Sequence, residues 1–218
     1  MRTTNAFWIA AAMVMATNVV ALWAWYSLPA GAGVPINYLA LDGLRHHGVT
    51  RAGLWLVPVI SALTVTGMTF APLVGMQRQM ERGRQVFEAI LIGMPGLLLV
   101  VQAALVGRAM DADFNVLRPV AVATGVLLLA VGNYLGKARQ NRFIGLKTPW
   151  TLADAGVWDK THRLTGRTLF LGGLILVALG FALREAVALG LAIAACTALP
   201  MLIGVASSWR LYRALPRG

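Results

Sequence analysis

Charged residues are scarce in this chain. Only 12% of its 218 residues are Asp, Glu, Lys or Arg, whereas 58% are hydrophobic and the mean hydropathy is +0.71. Soluble domains carry about 25% charged residues. This composition excludes a soluble globular domain and indicates an integral membrane protein.

Cysteine is almost absent, and the common catalytic motifs are missing. The one cysteine, Cys196, excludes a framework of disulfides within the chain. The sequence has no HExxH, no phosphate-binding loop and no dinucleotide-binding glycines, and no candidate Ser or Cys nucleophile accompanies His162. We therefore expect neither an enzyme nor a cofactor.

Histidine is also rare, and its placement argues against a metal site. His46 and His47 are adjacent, so their side chains diverge on a helix or a strand. Zinc needs three or four ligands, and no further nitrogen or thiolate is expected on their side of the membrane. Asp42, Asp111 and Asp113 could add carboxylates, but a solvated turn is the simpler interpretation.

Acidic residues are outnumbered, 8 against 19 Lys and Arg, which gives a net charge of +11. If both termini face the cytoplasm, fourteen of the basic residues lie on that side and five on the other. The positive-inside rule predicts this orientation. Juxtamembrane basic residues usually meet anionic lipid, so we expect no direct contact with nucleic acid.

Long apolar runs dominate the rest of the chain. A span needs about 20 mostly apolar residues. Six such runs occur, near 7–28, 52–74, 87–107, 117–136, 168–183 and 187–207. The first is too long for the core of a signal peptide and is interpreted as a retained span. The prediction is an all-α bundle of six transmembrane helices in the bacterial inner membrane.

The segment from 137 to 167, here called the signature segment, is not explained by the membrane alone. Pro149 should stop one helix, and the spacing of Thr151 and Asp154 suggests a capping box for the next. Trp158 lies on one apolar face of that helix, and Gly166 should end it. We expect a short amphipathic helix at the cytoplasmic interface between spans four and five.

Two roles are open for this segment. Trp150 and Trp158 could anchor it at headgroup level while Lys147 meets anionic lipid. Alternatively it forms a folded docking surface. Trp158 and His162 are four residues apart and share a face, which suits either a packed aromatic–imidazole pair or a docking epitope.

The same segment carries a family pattern, N-x-x-x-G-x-K-T-P-W-T-L followed by W-x-x-T-H-R and a glycine. It resembles the signature of the SdpI immunity-protein family. The residues in register are Asn141, Gly145, Lys147, Thr148, Pro149, Trp150, Thr151, Leu152, Trp158, Thr161, His162, Arg163 and Gly166. The resemblance implies protection against a secreted antibacterial peptide toxin and capture of a transcriptional repressor at the cytoplasmic face. It makes these residues candidates for binding.

The loop from 29 to 51 should lie outside the cell. It has an extended stretch after Pro35, a turn at Asp42 and Gly43, and a second glycine at Gly48. It resembles the outer loop that commonly precedes the family signature, except that Asn37 stands where His is usual. These five residues are the candidates for toxin recognition. The chain then divides into a three-span region, 1–107, and an SdpI-like region, 108–218.

Transport of a small molecule or ion is the alternative function. Helix-breaking prolines at Pro58 and Pro95 would suit a transporter, but the spans lack a central charge. Glu88 follows Arg84 by four residues and could be a proton carrier or half of an ion pair at the membrane boundary. Glycines in spans four and five, including Gly132 and Gly136, predict close packing of these two helices.

Overall fold

The structure is a computed structural model, and it describes residues 5–29, 34–40, 43–49, 51–70, 81, 83–110 and 113–215. Within these residues six helical segments are long and apolar enough to cross a membrane. The prediction of a six-span helical membrane protein is confirmed at this level. The helices are α1 (Asn5–Ser27), α2 (Leu56–Phe70, continuing a 3₁₀ turn at Arg51–Trp55), α3 (Arg84–Met110), α4 (Leu117–Leu135), the short α5 (Pro149–Ala153), α6 (Ala155–Ala182) and α7 (Ala186–Arg213).

The predicted outer loop forms a β-hairpin, which adds two strands to the helical fold. Strand β1 (Val34–Ala40) pairs antiparallel with β2 (Gly43–Val49). Pro35 lies opposite Gly48, Asn37 opposite His46, and Ala40 opposite Gly43. Four of the five candidate residues of this loop are therefore placed on one hairpin. Asp42, the fifth, lies outside the described residues.

Helices α4 and α6 pack through their backbones, as their glycines predict. A Cβ added at Gly132 would lie 2.7 Å from the carbonyl oxygen of Gly166, and one at Gly125 would lie 2.8 Å from that of Gly173. Real Cβ atoms do not approach a backbone so closely, so each of these positions requires glycine. The packing fixes α6 against α4 along several turns.

One helix, α6, replaces the two elements predicted between 151 and 183. It runs without a break from Ala155 to Ala182, so the separate amphipathic helix ending at Gly166 is wrong. Gly166 is buried against Gly132 inside this helix. The glycine serves helix contact here, which is its common use in membrane helices.

The main core cluster fills the space where α4, α6 and α7 meet. Leu128, Leu169, Leu176 and Leu189 are all less than 10% exposed. The outer faces of the same helices carry exposed apolar side chains such as Leu171 and Leu202. This reversal, apolar on the outside, is what a lipid-facing bundle requires.

Polar groups at the ends of the spans are paired locally. The Arg84 guanidinium lies 2.8 Å from the Glu88 carboxylate on the first turn of α3. The predicted ion pair is therefore confirmed. Farther along α3, the buried Gln102 amide donates to the carbonyl of Leu54 at 3.1 Å and ties α3 to the start of α2.

Candidate functional site

The signature segment begins as a tight turn built on Asn141. Its side-chain oxygen accepts from the backbone amides of Phe143 at 2.8 Å and Ile144 at 2.7 Å, while its amide donates to the carbonyl of Arg139 at 2.8 Å. Asn141 is only 5% exposed. An Asn in this position satisfies three backbone groups that a buried loop would otherwise leave unpaired.

Short helix α5 starts with a capping box made of two threonines. The Thr148 hydroxyl accepts from the Thr151 amide at 3.1 Å, and the Thr151 hydroxyl accepts from the Thr148 amide at 2.9 Å. Thr151 also donates to the carbonyl of Leu146 at 2.9 Å. The predicted box of Thr151 with Asp154 is wrong. Asp154 instead caps α6, since its carboxylate accepts from the Val157 amide at 2.7 Å.

Trp158 and His162 form a stacked pair at the centre of the segment. Their ring centroids are 3.9 Å apart with an interplanar angle of 17°. The Trp158 indole donates to the carbonyl of Ala138 at 2.8 Å. The aromatic–imidazole packing predicted from their spacing is confirmed, and the indole also joins the start of the loop to α6.

Both ring nitrogens of His162 are used by the backbone. The amide of Leu146 donates to Nε2 at 2.9 Å, so Nε2 must be the unprotonated acceptor. Nδ1 lies 2.9 Å from the carbonyl of Trp158 and must then carry the proton. This arrangement defines a neutral imidazole with one tautomer. His162 has no nitrogen left over for a metal or for general-base chemistry in this conformation.

Gly145 lets the loop pass directly over this pair. Its φ of +122° belongs to a region that residues with a side chain rarely adopt. A Cβ there would collide with Nε2 of His162 and lie 3.1 Å from Cη2 of Trp158. Both the positive φ and the lack of space for a Cβ therefore explain why glycine occupies position 145.

The buried location of these side chains corrects one predicted role. Trp158, Thr161 and His162 are each 0% exposed. They cannot anchor the segment at headgroup level, nor can His162 be solvated as that interpretation required. They also do not belong to an exposed docking surface in this conformation. The tertiary partners supplied by Ala138 and Leu146 explain the difference.

The exposed part of the segment is strongly basic. Lys147 and Arg163 are exposed, Pro149 is exposed and Trp150 is half-buried. All seven Lys and Arg between 137 and 167 are exposed, whereas Asp159 is the one exposed carboxylate there. The exposed side chains therefore form a cationic surface, named here the basic surface, over a buried neutral layer.

Comparison with known proteins places this segment. Residues 137–208 match the model of the SdpI/YfhL protein family. This part of the chain is therefore similar to the SdpI family. A relative named "Immunity protein SdpI", from Bacillus subtilis (strain 168), is 30% identical over 119 residues, which cover 55% of this chain and 56% of the relative. The chain thus matches about half the length of that relative. No solved structure matches the chain.

The SdpI-register residues separate into two groups in space. The first group faces inward and holds the loop to the bundle, namely Asn141, Gly145, Thr148, Thr151, Trp158, Thr161, His162 and Gly166. Lys147, Pro149, Trp150, Leu152 and Arg163 make up the outward group. The pattern recognised as one signature therefore combines a folding requirement with an exposed surface. The hairpin residues Pro35, Asn37, Gly43 and Gly48 belong to a separate element.

Sequence reasoning missed the contribution of α7 to this site. The Thr148 hydroxyl donates to that of Ser208 at 3.2 Å, and Gly204 leaves room for Thr165 and Leu146. The role of Gln140 was also not predicted. Its side-chain amide donates to the carbonyls of Thr151 and Leu152 and so joins the loop to α5. The available signal in the sequence was the presence of a small residue, Gly204, and a hydroxyl residue, Ser208, near the end of the sixth span.

The described residues around the site form no metal-binding cluster. Among them, no group of three or more His, Cys, Asp or Glu side chains could hold a metal ion. The hydroxyls of Thr161 and Thr165 are buried without a hydrogen-bond partner there. The two lie one helical turn apart on α6, and the Thr165 hydroxyl lies beside Gly204 of α7.

Proposed function

We propose that this protein is a membrane immunity protein that protects its cell from a secreted antibacterial peptide. The similarity to the relative named Immunity protein SdpI carries the proposal. The family match over residues 137–208 supports it, because that match contains the whole signature segment. The proposal also gives the chain two working faces, one for the peptide and one for a cytoplasmic partner.

The chain connectivity supports a separation of these faces. Helices α2, α3 and α4 lie between the β-hairpin and the signature segment. If each crosses the bilayer once, three crossings place the two elements on opposite sides. The uneven distribution of the 19 Lys and Arg favours the signature segment as the cytoplasmic one. The hairpin would then meet a peptide arriving from outside.

The basic surface is the proposed site of repressor capture. Lys147 and Arg163 are exposed on it, and Trp150 is partly available beside them. Tryptophan and arginine are residue types that concentrate binding energy at interfaces. Trp158 and His162 are buried beneath this surface and hold its loop in one conformation. A partner with an acidic face is the chemistry that such a surface recognises.

Coupling between the faces requires two states of the helix bundle. A peptide bound outside can affect a partner inside only if both bind one of these states better than the other. Helix α6 is suited to carry the change, because it begins inside the signature segment and continues across the bundle.

The test scores protection and signalling separately in one strain. Variants Lys147→Gln and Arg163→Gln weaken the basic surface, and Asn37→Ala alters the hairpin. Arg210→Gln removes an exposed charge outside the signature segment and serves as the matched control. All variants are expressed at equal levels in the membrane. Two quantities are measured, namely cell survival in the presence of the peptide and expression of a reporter gene that the captured repressor controls.

We expect the two basic-surface variants to lose reporter induction while retaining survival, and Asn37→Ala to lose both. The control should behave as wild type. Wild-type protein that gives no survival advantage would contradict the immunity role. If Glu88→Gln then abolished a measurable ion or solute flux, the alternative of a transporter would replace it.

A further inference from the structure

A large cavity lies between α3 and α4, away from the signature segment. Its volume is about 1500 Å³, and small or apolar side chains of the two helices make up most of its lining. Ligand pockets for drug-sized molecules measure about 300–1,000 Å³. This cavity is therefore large enough for an extended apolar ligand, which the proposed immunity function does not by itself require.

The cavity follows the thickness of the membrane. On α4 its lining extends from Arg118 to Tyr134. Sixteen residue steps at about 1.5 Å each correspond to about 24 Å, against about 30 Å for the hydrocarbon core of a bilayer. An occupant would lie along the helices and remain within the apolar part of the membrane for most of its length.

The two ends of the cavity differ in charge. Arg118, Arg184 and Asp113 line one end, so two cations stand there against one carboxylate. Glu88 lines the other end, where Arg84 pairs with it at 2.8 Å. The unequal ends suit a ligand that has one anionic head and an apolar body.

Arg118 is held in place at the cationic end. Its Nε donates to the carbonyl of Gly180 at 3.3 Å, and its Nη2 donates to that of Phe181 at 2.9 Å. These bonds fix the guanidinium at the end of α6 and at the mouth of the cavity. A planar guanidinium with a fixed orientation matches the geometry of a phosphate oxygen pair.

We propose that this cavity is a binding site for an anionic phospholipid. Its phosphate lies at Arg118 and Arg184, and its acyl chains lie along α3 and α4 towards Glu88. Two guanidinium groups at one end of an apolar cavity can give a phosphate charge-assisted hydrogen bonds. Within the lining, Leu127 of α4 packs directly on Gly93 of α3, and flexible acyl chains can pass around this contact more easily than a rigid peptide helix.

The first experiment measures lipid retention on the purified full chain by native mass spectrometry. Phosphatidylglycerol and phosphatidylcholine are offered at equal concentration. Arg184→Gln removes a cation at the mouth, and Val126→Trp fills the cavity with a larger side chain. Arg210→Gln and Leu202→Trp are matched controls on exposed positions of α7 outside the cavity.

We expect phosphatidylglycerol to be retained preferentially. Arg184→Gln should weaken its retention about fivefold, the factor that corresponds to about 1 kcal/mol per basic residue near anionic lipid. Val126→Trp should reduce retention of both lipids, while the controls change neither. Equal retention of the two lipids by the wild type, or an equal loss in the controls, would overturn the proposal.

The second experiment identifies the occupant in living cells. A photoreactive benzoylphenylalanine replaces Phe181, an aromatic residue that lines the cavity and is 69% exposed. After irradiation, a phospholipid adduct supports the proposal. An adduct with a peptide or with a second copy of the chain, in the absence of any lipid adduct, would assign the cavity to that partner instead. This readout is independent of protection, so it separates failure of the lipid site from failure of the immunity role.

Discussion

At the scale of single residues, Gly145 and His162 depend on each other. The Leu146 amide needs His162 as its acceptor, and the loop can reach that position only through a backbone at φ +122°. The sequence indicates that Trp158 and His162 share a face. It does not reveal their burial, because their partners at Ala138 and Leu146 are backbone groups that leave no trace in side-chain identity.

Replacement of Gly145 by alanine should destabilise the protein. The backbone strain alone is expected to cost about 1–3 kcal/mol, and the new methyl group also collides with His162. Thermal unfolding of the purified protein in detergent measures the effect. Gly67→Ala is the control, since no atom lies within 4 Å of its new Cβ and helical alanine is favourable by about 0.5–1 kcal/mol. Equal melting temperatures for Gly145→Ala and wild type would contradict the steric argument.

Replacement of His162 by alanine should open the loop locally. The partly buried Leu146 amide would lose its acceptor, at a cost of about 1–3 kcal/mol. Hydrogen exchange followed by mass spectrometry should show faster exchange of the peptide that contains Leu146. Leu164→Ala, which shortens a 38% exposed side chain on the same helix, should leave that exchange unchanged. An unchanged exchange rate of this peptide in the His162 variant would show that the Leu146 amide has another hydrogen-bond acceptor.

At the scale of elements, the glycine contact between α4 and α6 was predictable and the start of α6 was not. Glycine spacing around Gly132 indicates close packing whatever the partner helix. Gly166 was predicted to end a helix, and only the position of α4 shows that it makes a helix contact instead. The extended stretch of the hairpin was predictable, since Pro35 fixes its own φ and disfavours helical backbone at Val34.

Gly132→Ala should separate α4 from α6. Its Cβ would lie 2.6 Å from the Phe170 amide nitrogen and 2.7 Å from the Gly166 carbonyl oxygen, and neither backbone atom can move without its helix. Overpacking of this kind typically costs about 1–3 kcal/mol. We expect a lower melting temperature and a reduced yield of folded protein. Gly190→Ala is the matched control, because its nearest neighbour would be the flexible Leu117 side chain at 3.8 Å. The same loss in both variants would argue against a specific helix contact.

At the scale of the whole molecule, apolar runs were sufficient to predict the number of spans. They did not predict how α7 closes the signature segment, because that contact depends on Ser208 and Gly204, two small residues in an apolar helix. The orientation in the membrane rests on the distribution of Lys and Arg alone.

Labelling of single cysteines tests this orientation. Cys196 is the only cysteine, so a Cys196→Ser background allows one reactive thiol to be placed at will. Asp113→Cys and Lys160→Cys both replace exposed side chains. In intact cells a membrane-impermeant maleimide should label the first and not the second, and both should react after permeabilisation. The opposite pattern would reverse the orientation and move the basic surface outside.

The unbroken course of α6 restricts where similar chains can change in length. An α-helix turns by about 100° per residue. One inserted residue between His162 and Gly173 would therefore rotate His162 away from Leu146, or Gly173 away from Gly125, because both contacts belong to the same rigid helix. We expect insertions and deletions among relatives to fall in the hairpin or between the spans, and to be absent from these twelve positions.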